Sequence, residues 1–287
     1  MGRCFHNCRF LMFADDLKIF RTVTCQEDCE LIQQDLDRFY AYCLNNKLHL
    51  AHEKCMQISF TRNKNKIIFQ YNIGGKLINR VTSIRDLGIL LDDKLILDQH
   101  VENITCRAYK MMGFVLRSAK PFKNASTYLL LYKTLVRPCL EYASVIWNPL
   151  YAVYIKQIEM IQKKFLRALH YRMAGCRMSY VNLLELYNIP TLENRRILSD
   201  AISLYCICRG EYNCPDLLSS IKFRVPSIRT RSQSLFSVPS CASNAGIRAP
   251  LRRICDTYNK RLLSVDLFCN SRNQFKTNVL NILSSSE

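Results

Sequence analysis

Two adjacent aspartates, Asp15 and Asp16, hold the clearest chemical potential in this 287-residue chain. They interrupt an apolar run, Phe10 to Phe13, which resumes from Leu17 to Phe20 with Leu17 and Ile19 on one face. The pattern predicts strand, tight acidic turn, strand, with buried flanks and two carboxylates lifted to the tip. Carboxylates on rigid strands suit Mg²⁺ or Mn²⁺, because these hard cations take oxygen ligands. An ordinary solvated turn contains the same residues, since aspartate bonds readily to nearby backbone.

The elements that must position this pair follow at once. Thr24 and Glu27 have the spacing of a capping box. Cys29, Ile32, Leu36, Phe39, Tyr40 and Cys43 then recur at helical steps and predict one buried face, ended by Asn45-Asn46. Lys54-Cys55 leads into Met56, Ile58 and Phe60, which alternate as a strand does. Strands are expected over Ile67 to Ile73 and Lys76 to Val81, joined by Gly74-Gly75. Next comes Ile84 to Leu91, with Leu87-Gly88 at its centre. A second acidic pair, Asp92-Asp93, is followed by Lys94 and reads as a turn without metal.

From Asp98 the period becomes helical. Val101, Ile104, Ala108, Met111, Met112 and Val115 mark one face. A second helix is expected from Ala125 to Val136, with Pro138 kinking or ending it. A third, Ala152 to His170, turns Ile155, Ile158, Ile161, Phe165, Leu166 and Leu169 inward and carries Lys156, Lys163, Lys164 and Arg167 on other faces. Tyr180 to Tyr187 and Leu192 to Cys208 read as two more, with Thr191 as a cap and Arg195-Arg196 on the second. Residues 211–250 are less regular, and Arg229 to Ser232 suits either a nucleic-acid-facing loop or a linker. A last helix is expected over Ile254 to Leu267, with a frayed tail at Ser284 to Ser286. Strand pairs followed by helices give an α+β class.

Charge divides the chain. Residues 1–100 carry 14 Lys and Arg against 12 Asp and Glu, whereas residues 101–287 carry 27 against 11. The excess downstream of the acidic hairpin points to a polyanion partner there, or to a generally basic solvated surface. No apolar run is long enough to span a membrane, and the start lacks the pattern of a secretory leader. The 15 cysteines are read mostly as reduced, buried thiols. Neither Cys4-x-His6-x-Cys8 nor Cys206-x-Cys208 with Cys214 has paired zinc-ligand spacing.

Phe13-Ala14-Asp15-Asp16 resembles the aromatic-Ala-Asp-Asp box of reverse transcriptases, with Phe as in the non-LTR retrotransposon branch. The Lys-Cys strand after the next helix is similar to that family's, and Leu87-Gly88 resembles its primer grip. The run Leu135-Val136-Arg137-Pro138-Cys139-Leu140-Glu141-Tyr142-Ala143-Ser144-Val145-Ile146-Trp147-Asn148-Pro149 closely resembles a signature of arthropod-type, jockey-like elements, downstream of the palm. It is the most specific of these likenesses.

The resemblance implies a partial polymerase palm over residues 1–95, with antiparallel strands and a packed helix. A helical thumb-like and connection region over 96–210 would follow, and then a basic, partly irregular region over 211–287. It implies RNA-directed DNA polymerase ancestry, an RNA template and a DNA primer, and Mg²⁺ or Mn²⁺ in a two-metal site using Asp15 and Asp16. Lys54 would assist the leaving pyrophosphate, Leu87 and Gly88 would hold the primer end, and Lys156, Lys163, Lys164 and Arg167 would contact phosphates. The family's palm uses a further aspartate on an earlier strand, and its fingers cover the nucleotide. Only nine residues precede Phe10, so the expectation is a fragment that does not polymerise alone. Two other readings stay open: a non-catalytic nucleic-acid-binding remnant, and a structural α+β protein with an incidental acidic turn.

Overall fold

Short strand pairs precede a long run of helices, which makes the fold α+β. The computed structural model describes residues 2–63, 65–225, 234–241, 243, 246–247 and 249–285, so Arg229 to Ser232 lie outside the described residues. The chain divides into two units, Met1–Ile96 and Leu97–Glu287.

The first unit is built on one hairpin and one helix. β1 (Arg9–Phe13) pairs antiparallel with β2 (Asp16–Phe20), with Phe13 opposite Asp16 and Arg9 opposite Phe20. Ala14 and Asp15 form the two-residue turn, with Ala14 in the left-handed region at φ +52°. Phe10, Leu17 and Ile19 pack on Phe5, Phe39 and Cys43, the last two from α1 (Gln26–Asn45). The expectation of buried flanks holds for that face alone. Leu11, Met12 and Phe13 are each about three-fifths exposed, because α1 covers one side of a two-stranded ladder and leaves the other side and the tip open.

The cap of α1 lies one residue beyond the expected Thr24–Glu27 box. Cys25 is the capping residue and Asp28 the acid that turns back. The Asp28 carboxylate accepts from the backbone N–H and the hydroxyl of Thr24, both at 2.8 Å, and from Arg21 at 2.9 Å. These donors hold its pKa well below the usual carboxylate range. Asp35 falls outside the apolar periodicity of α1, yet it is fully buried. It accepts the backbone N–H groups of His6, Asn7 and Cys8 at 3.2, 2.9 and 2.8 Å and pairs with Arg38, tying the strand that enters the hairpin to α1.

The remaining strands are shorter than their apolar runs. β3 (Met56–Gln57) pairs parallel with β6 (Asn79–Arg80), and β4 (Asn72–Ile73) pairs antiparallel with β5 (Lys76–Leu77). Gly74 and Gly75 make the expected turn, both at positive φ. A Cβ on Gly74 would stand 2.3 Å from the Tyr40 ring of α1, so that turn needs glycine for space as well as conformation. Gln33 of α1 docks the same hairpin, donating to the Asn72 carbonyl and accepting from its N–H. β7 (Ser83–Asp86) and β8 (Ile89–Asp92) pair antiparallel around Leu87-Gly88.

The second unit is helical. α2 (Asp98–Ser118), α3 (Ala125–Leu131), α4 (Arg137–Glu141), α5 (Ser144–Trp147), α6 (Ala152–Ala174), α7 (Tyr180–Leu186) and α8 (Leu192–Cys208) pack first, and Thr191 caps α8 as expected. α9 (Pro215–Ser220) and helices over Pro250–Thr257 and Arg272–Ser285 complete the unit. The last has no counterpart in the sequence reading, and it carries helix through Ser284 and Ser285, where the sequence predicts fraying. Pro138 does not end its helix. A π-helical turn, Tyr132–Val136, joins α3 to α4 immediately before it. Proline has no N–H to donate and its ring crowds the carbonyl four residues earlier, and the wider turn accommodates both. No described helix is long and apolar enough to cross a membrane.

Candidate functional site

Asp15 sits at the second turn position and Asp16 opens β2; both are exposed. Asp16 and Lys18 are two residues apart on a strand and therefore share a face, the open one that also presents Leu11 and Phe13. Among the described residues no three His, Cys, Asp or Glu side chains gather as a metal-ligand set. Two solvent-facing carboxylates nevertheless fit part of a Mg²⁺ site. This ion keeps several waters and takes one or two carboxylates together with substrate phosphates.

The second hairpin comes to this face through one ion pair. Lys18 Nζ lies 2.6 Å from Asp86 Oδ1, and Asp86 directly precedes the exposed Leu87-Gly88 turn. Leu87 and Gly88 both take positive φ, +44° and +87°, the pairing that a tight two-residue hairpin turn demands. Thus the structure links the acidic hairpin and the Leu-Gly hairpin. Asp92-Asp93 serves locally: Asp92 accepts the N–H groups of Lys94 and Ile96, and Asp93 pairs with Lys66 at 2.8 Å.

Lys54 stands elsewhere in the local chain than the sequence suggests. It closes a 3-10 turn, His52–Lys54, rather than ending a strand, and it is exposed. The ladder after it is too short to extend back, since Met56–Gln57 alone are paired.

The cations of α6 share one outward face. At 100° per residue, Lys156, Lys163, Lys164 and Arg167 fall within about 100° of arc, with exposed Met160 and Tyr171 among them. The opposite side is core: Ile158, Ile161, Phe165, Leu166 and Leu169 are fully buried. Lys164 lies 5.0 Å from the centre of the Tyr109 ring of α2, and Lys163 lies 5.8 Å from that of Tyr180. The single acid of α6, Glu159, points away from this face. It accepts the Leu192 N–H at 3.0 Å and the Tyr180 hydroxyl, and burial pushes its pKa up.

The long run from Leu135 to Pro149 is a structural joint. Val136, Leu140 and Trp147 are buried, and the indole N–H of Trp147 donates to the Tyr142 carbonyl at 2.7 Å. Glu141 pairs with Arg195 of α8 through both carboxylate oxygens, and this partner raises the Arg195 pKa. Asn148 donates to Asp200 at 3.1 Å and accepts from Arg196 at 3.0 Å, while Arg253 closes the set on Asp200 at 3.2 Å. Arg196 is buried, and neither terminal guanidinium nitrogen has a hydrogen-bond partner among the described residues. Arg195-Arg196 therefore works inside the unit. Sequence reasoning had no signal for Asp200 or Arg253, whose partners lie dozens of residues away.

Comparison with known proteins adds distant relatives. An uncharacterized protein of Caenorhabditis elegans, B0403.1, is 32% identical over 134 residues, 47% of this chain and 67% of that protein. The RNA-directed DNA polymerase from mobile element jockey of Drosophila funebris is 26% identical over 160 residues, 54% of this chain. A probable RNA-directed DNA polymerase from transposon X-element of Drosophila melanogaster is 26% identical over 167 residues, 57% of this chain. The matches span 17% and 18% of those two polymerases, so the chain corresponds to a small part of each. No family model and no solved structure matches the chain.

Proposed function

This chain belongs to one family with the uncharacterized C. elegans protein B0403.1, and from that premise we propose that it is the palm-and-thumb portion of a non-LTR retrotransposon reverse transcriptase. The observation that carries the reading is the Lys18–Asp86 pair, which joins Asp15-Asp16 to Leu87-Gly88 in a chain distantly similar to mobile-element RNA-directed DNA polymerases. In this reading Asp15 and Asp16 hold Mg²⁺ or Mn²⁺ on the open face of the hairpin. The bound ion supplies charge neutralisation for phosphate oxygens. The Leu87-Gly88 turn, with no side chain at Gly88, lets a primer end approach the backbone. Lys54, exposed on its 3-10 turn, serves as a proton donor to departing pyrophosphate. Lys156, Lys163, Lys164 and Arg167 bind the phosphates of an RNA template and DNA primer without reading sequence.

In this reading the isolated chain binds nucleic acid and does not extend a primer, because two carboxylates alone supply only part of a two-metal site. An RNA–DNA hybrid should be retained with an affinity that falls steeply as salt rises. Salt-independent retention would sink the nucleic-acid reading. Template-directed, Mg²⁺-dependent incorporation that disappears in Asp15→Asn would overturn the inactivity of the isolated chain.

The same proposal takes residues 1–95 as partial palm, 96–210 as thumb-like and connection region, and 211–287 as basic C-terminal region. The acid-free outward face of α6 also favours the narrower reading, a nucleic-acid-binding remnant with no catalysis. Mn²⁺ binding separates the two, since only the palm reading requires Asp15 and Asp16 to hold the ion.

A further inference from the structure

A cysteine and a histidine meet where α6 ends. Gly175 closes the helix in the left-handed conformation, φ +67°, with its N–H donated to the Tyr171 carbonyl at 2.9 Å. That reversal brings Cys176 back against the helix, and its Sγ lies 3.4 Å from Nε2 of His170. The other ring nitrogen, Nδ1, lies 3.4 Å from the hydroxyl of Tyr187, and the two rings meet edge to face at 6.3 Å. His170 is buried and Cys176 exposed. A buried imidazole, fixed on its far side, thus faces a thiol open to solvent.

Nucleophile, base and orienting group are the parts of an activated thiol. When Nδ1–H donates to the Tyr187 oxygen, Nε2 presents its lone pair to the S–H proton. Burial raises the Tyr187 pKa, which keeps the phenol neutral and able to accept. Transfer leaves a thiolate, the reactive form of cysteine.

The other thiols lack this arrangement. Burial pushes Cys8 and Cys255 up to about 12. Cys25 and Cys269 are exposed, but the neighbouring Glu27 and Asp266 raise them. Cys106 is exposed without a hydrogen-bond partner among the described residues. Bonds with Ser243 lower the pKa of Cys241, which is only partly exposed and has Ser243 rather than a base beside it.

We propose that Cys176 is a modification site that undergoes thiol–disulfide exchange with small soluble disulfides such as oxidised glutathione, with His170 as its base. The S–H proton passes to Nε2, and the thiolate attacks one sulfur of the disulfide. A new S–S bond forms as the old one breaks, and the leaving thiolate takes the proton back from the imidazolium. Cys176 is oxidised and the departing half of the disulfide is reduced to a thiol.

The test is site-resolved mass spectrometry of the native chain during exposure to oxidised glutathione. Cys176 should form the mixed disulfide about tenfold faster than Cys106 or Cys241. Equal rates in the wild-type protein overturn the proposal, and because the comparison is internal it does not depend on a variant folding. His170→Gln, with an unchanged circular dichroism spectrum, should bring Cys176 to the Cys106 rate; a retained rate overturns His170 as the base.

Discussion

Lys18 Nζ stands 2.6 Å from Asp86 Oδ1, and this ion pair fastens the acidic hairpin to the Leu87-Gly88 hairpin. Both side chains are about a third exposed, so water screens much of the attraction. Lys18→Met or Asp86→Asn should cost about 0.5 kcal/mol, and less in high salt. Amide exchange over residues 9–20 should quicken in either variant. The exchange Lys18→Asp with Asp86→Lys should restore the wild-type rate, and failure to do so would deny the pair its fastening role.

Acid should loosen the first unit through Asp35. Burial opposes its charge, but Arg38 and the amide groups of Asn7 and His6 outweigh that and hold the carboxyl below its usual value. A depressed folded pKa contributes stability that is present above the unfolded value, about 3.9, and is lost as pH falls through the lower folded value. Asp35→Asn should lower stability at pH 7 by about 2–3 kcal/mol and flatten the acid side of the stability profile. Denaturant midpoints measured across the acid range would check both effects.

The joint around Glu141 should answer in two opposite ways. Glu141→Gln removes a bidentate partner from Arg195 and should destabilise the second unit by about 1–2 kcal/mol, less than a buried pair because both side chains keep some water. Arg196→Met should be close to neutral or stabilising, since it replaces a buried guanidinium whose terminal nitrogens lack hydrogen-bond partners among the described residues. Chemical denaturation followed by the single tryptophan, buried in this joint, reads both.

The α6 face makes a quantitative claim about polyanions. Removing one phosphate-binding cation, by Lys156→Gln, Lys164→Gln or Arg167→Gln, should reduce the slope of log affinity against log salt by about 1 on an RNA–DNA hybrid. Lys163, drawn toward the Tyr180 ring and less exposed, should contribute less. Unchanged slopes when each of the four cations is replaced by glutamine would show that this face is merely solvated.

The helices were legible where apolar spacing alone decides them. The cap at Thr191 and the buried faces of α1 and α6 follow from residue type and periodicity. The Gly74-Gly75 turn was equally plain, because glycine at both positions admits the required backbone. Strand lengths were not legible, since an apolar run such as Ile67 to Ile73 does not say how many of its residues find a partner. Asp35 and Asp200 were hidden for another reason. An acid beside the apolar stripe reads as solvated until the amides or arginines that satisfy it arrive from elsewhere in the chain. The acidic turn itself was readable, but the openness of its flank was not, because alternation reports which residues share a face and not whether that face is covered.

The π-helical turn before Pro138 acts as a one-residue insertion in an otherwise α-helical phase. Everything after it is rotated by about 100° relative to an uninterrupted helix. Glu141, which pairs with Arg195, lies beyond that turn, three residues after Pro138, and so shares the rotation. Removing a single residue between Tyr132 and Val136 would leave the composition of the joint intact and aim its acid in the wrong direction. The spacing between Tyr132 and Glu141 thus carries part of the joint's geometry, beside the identity of the two residues.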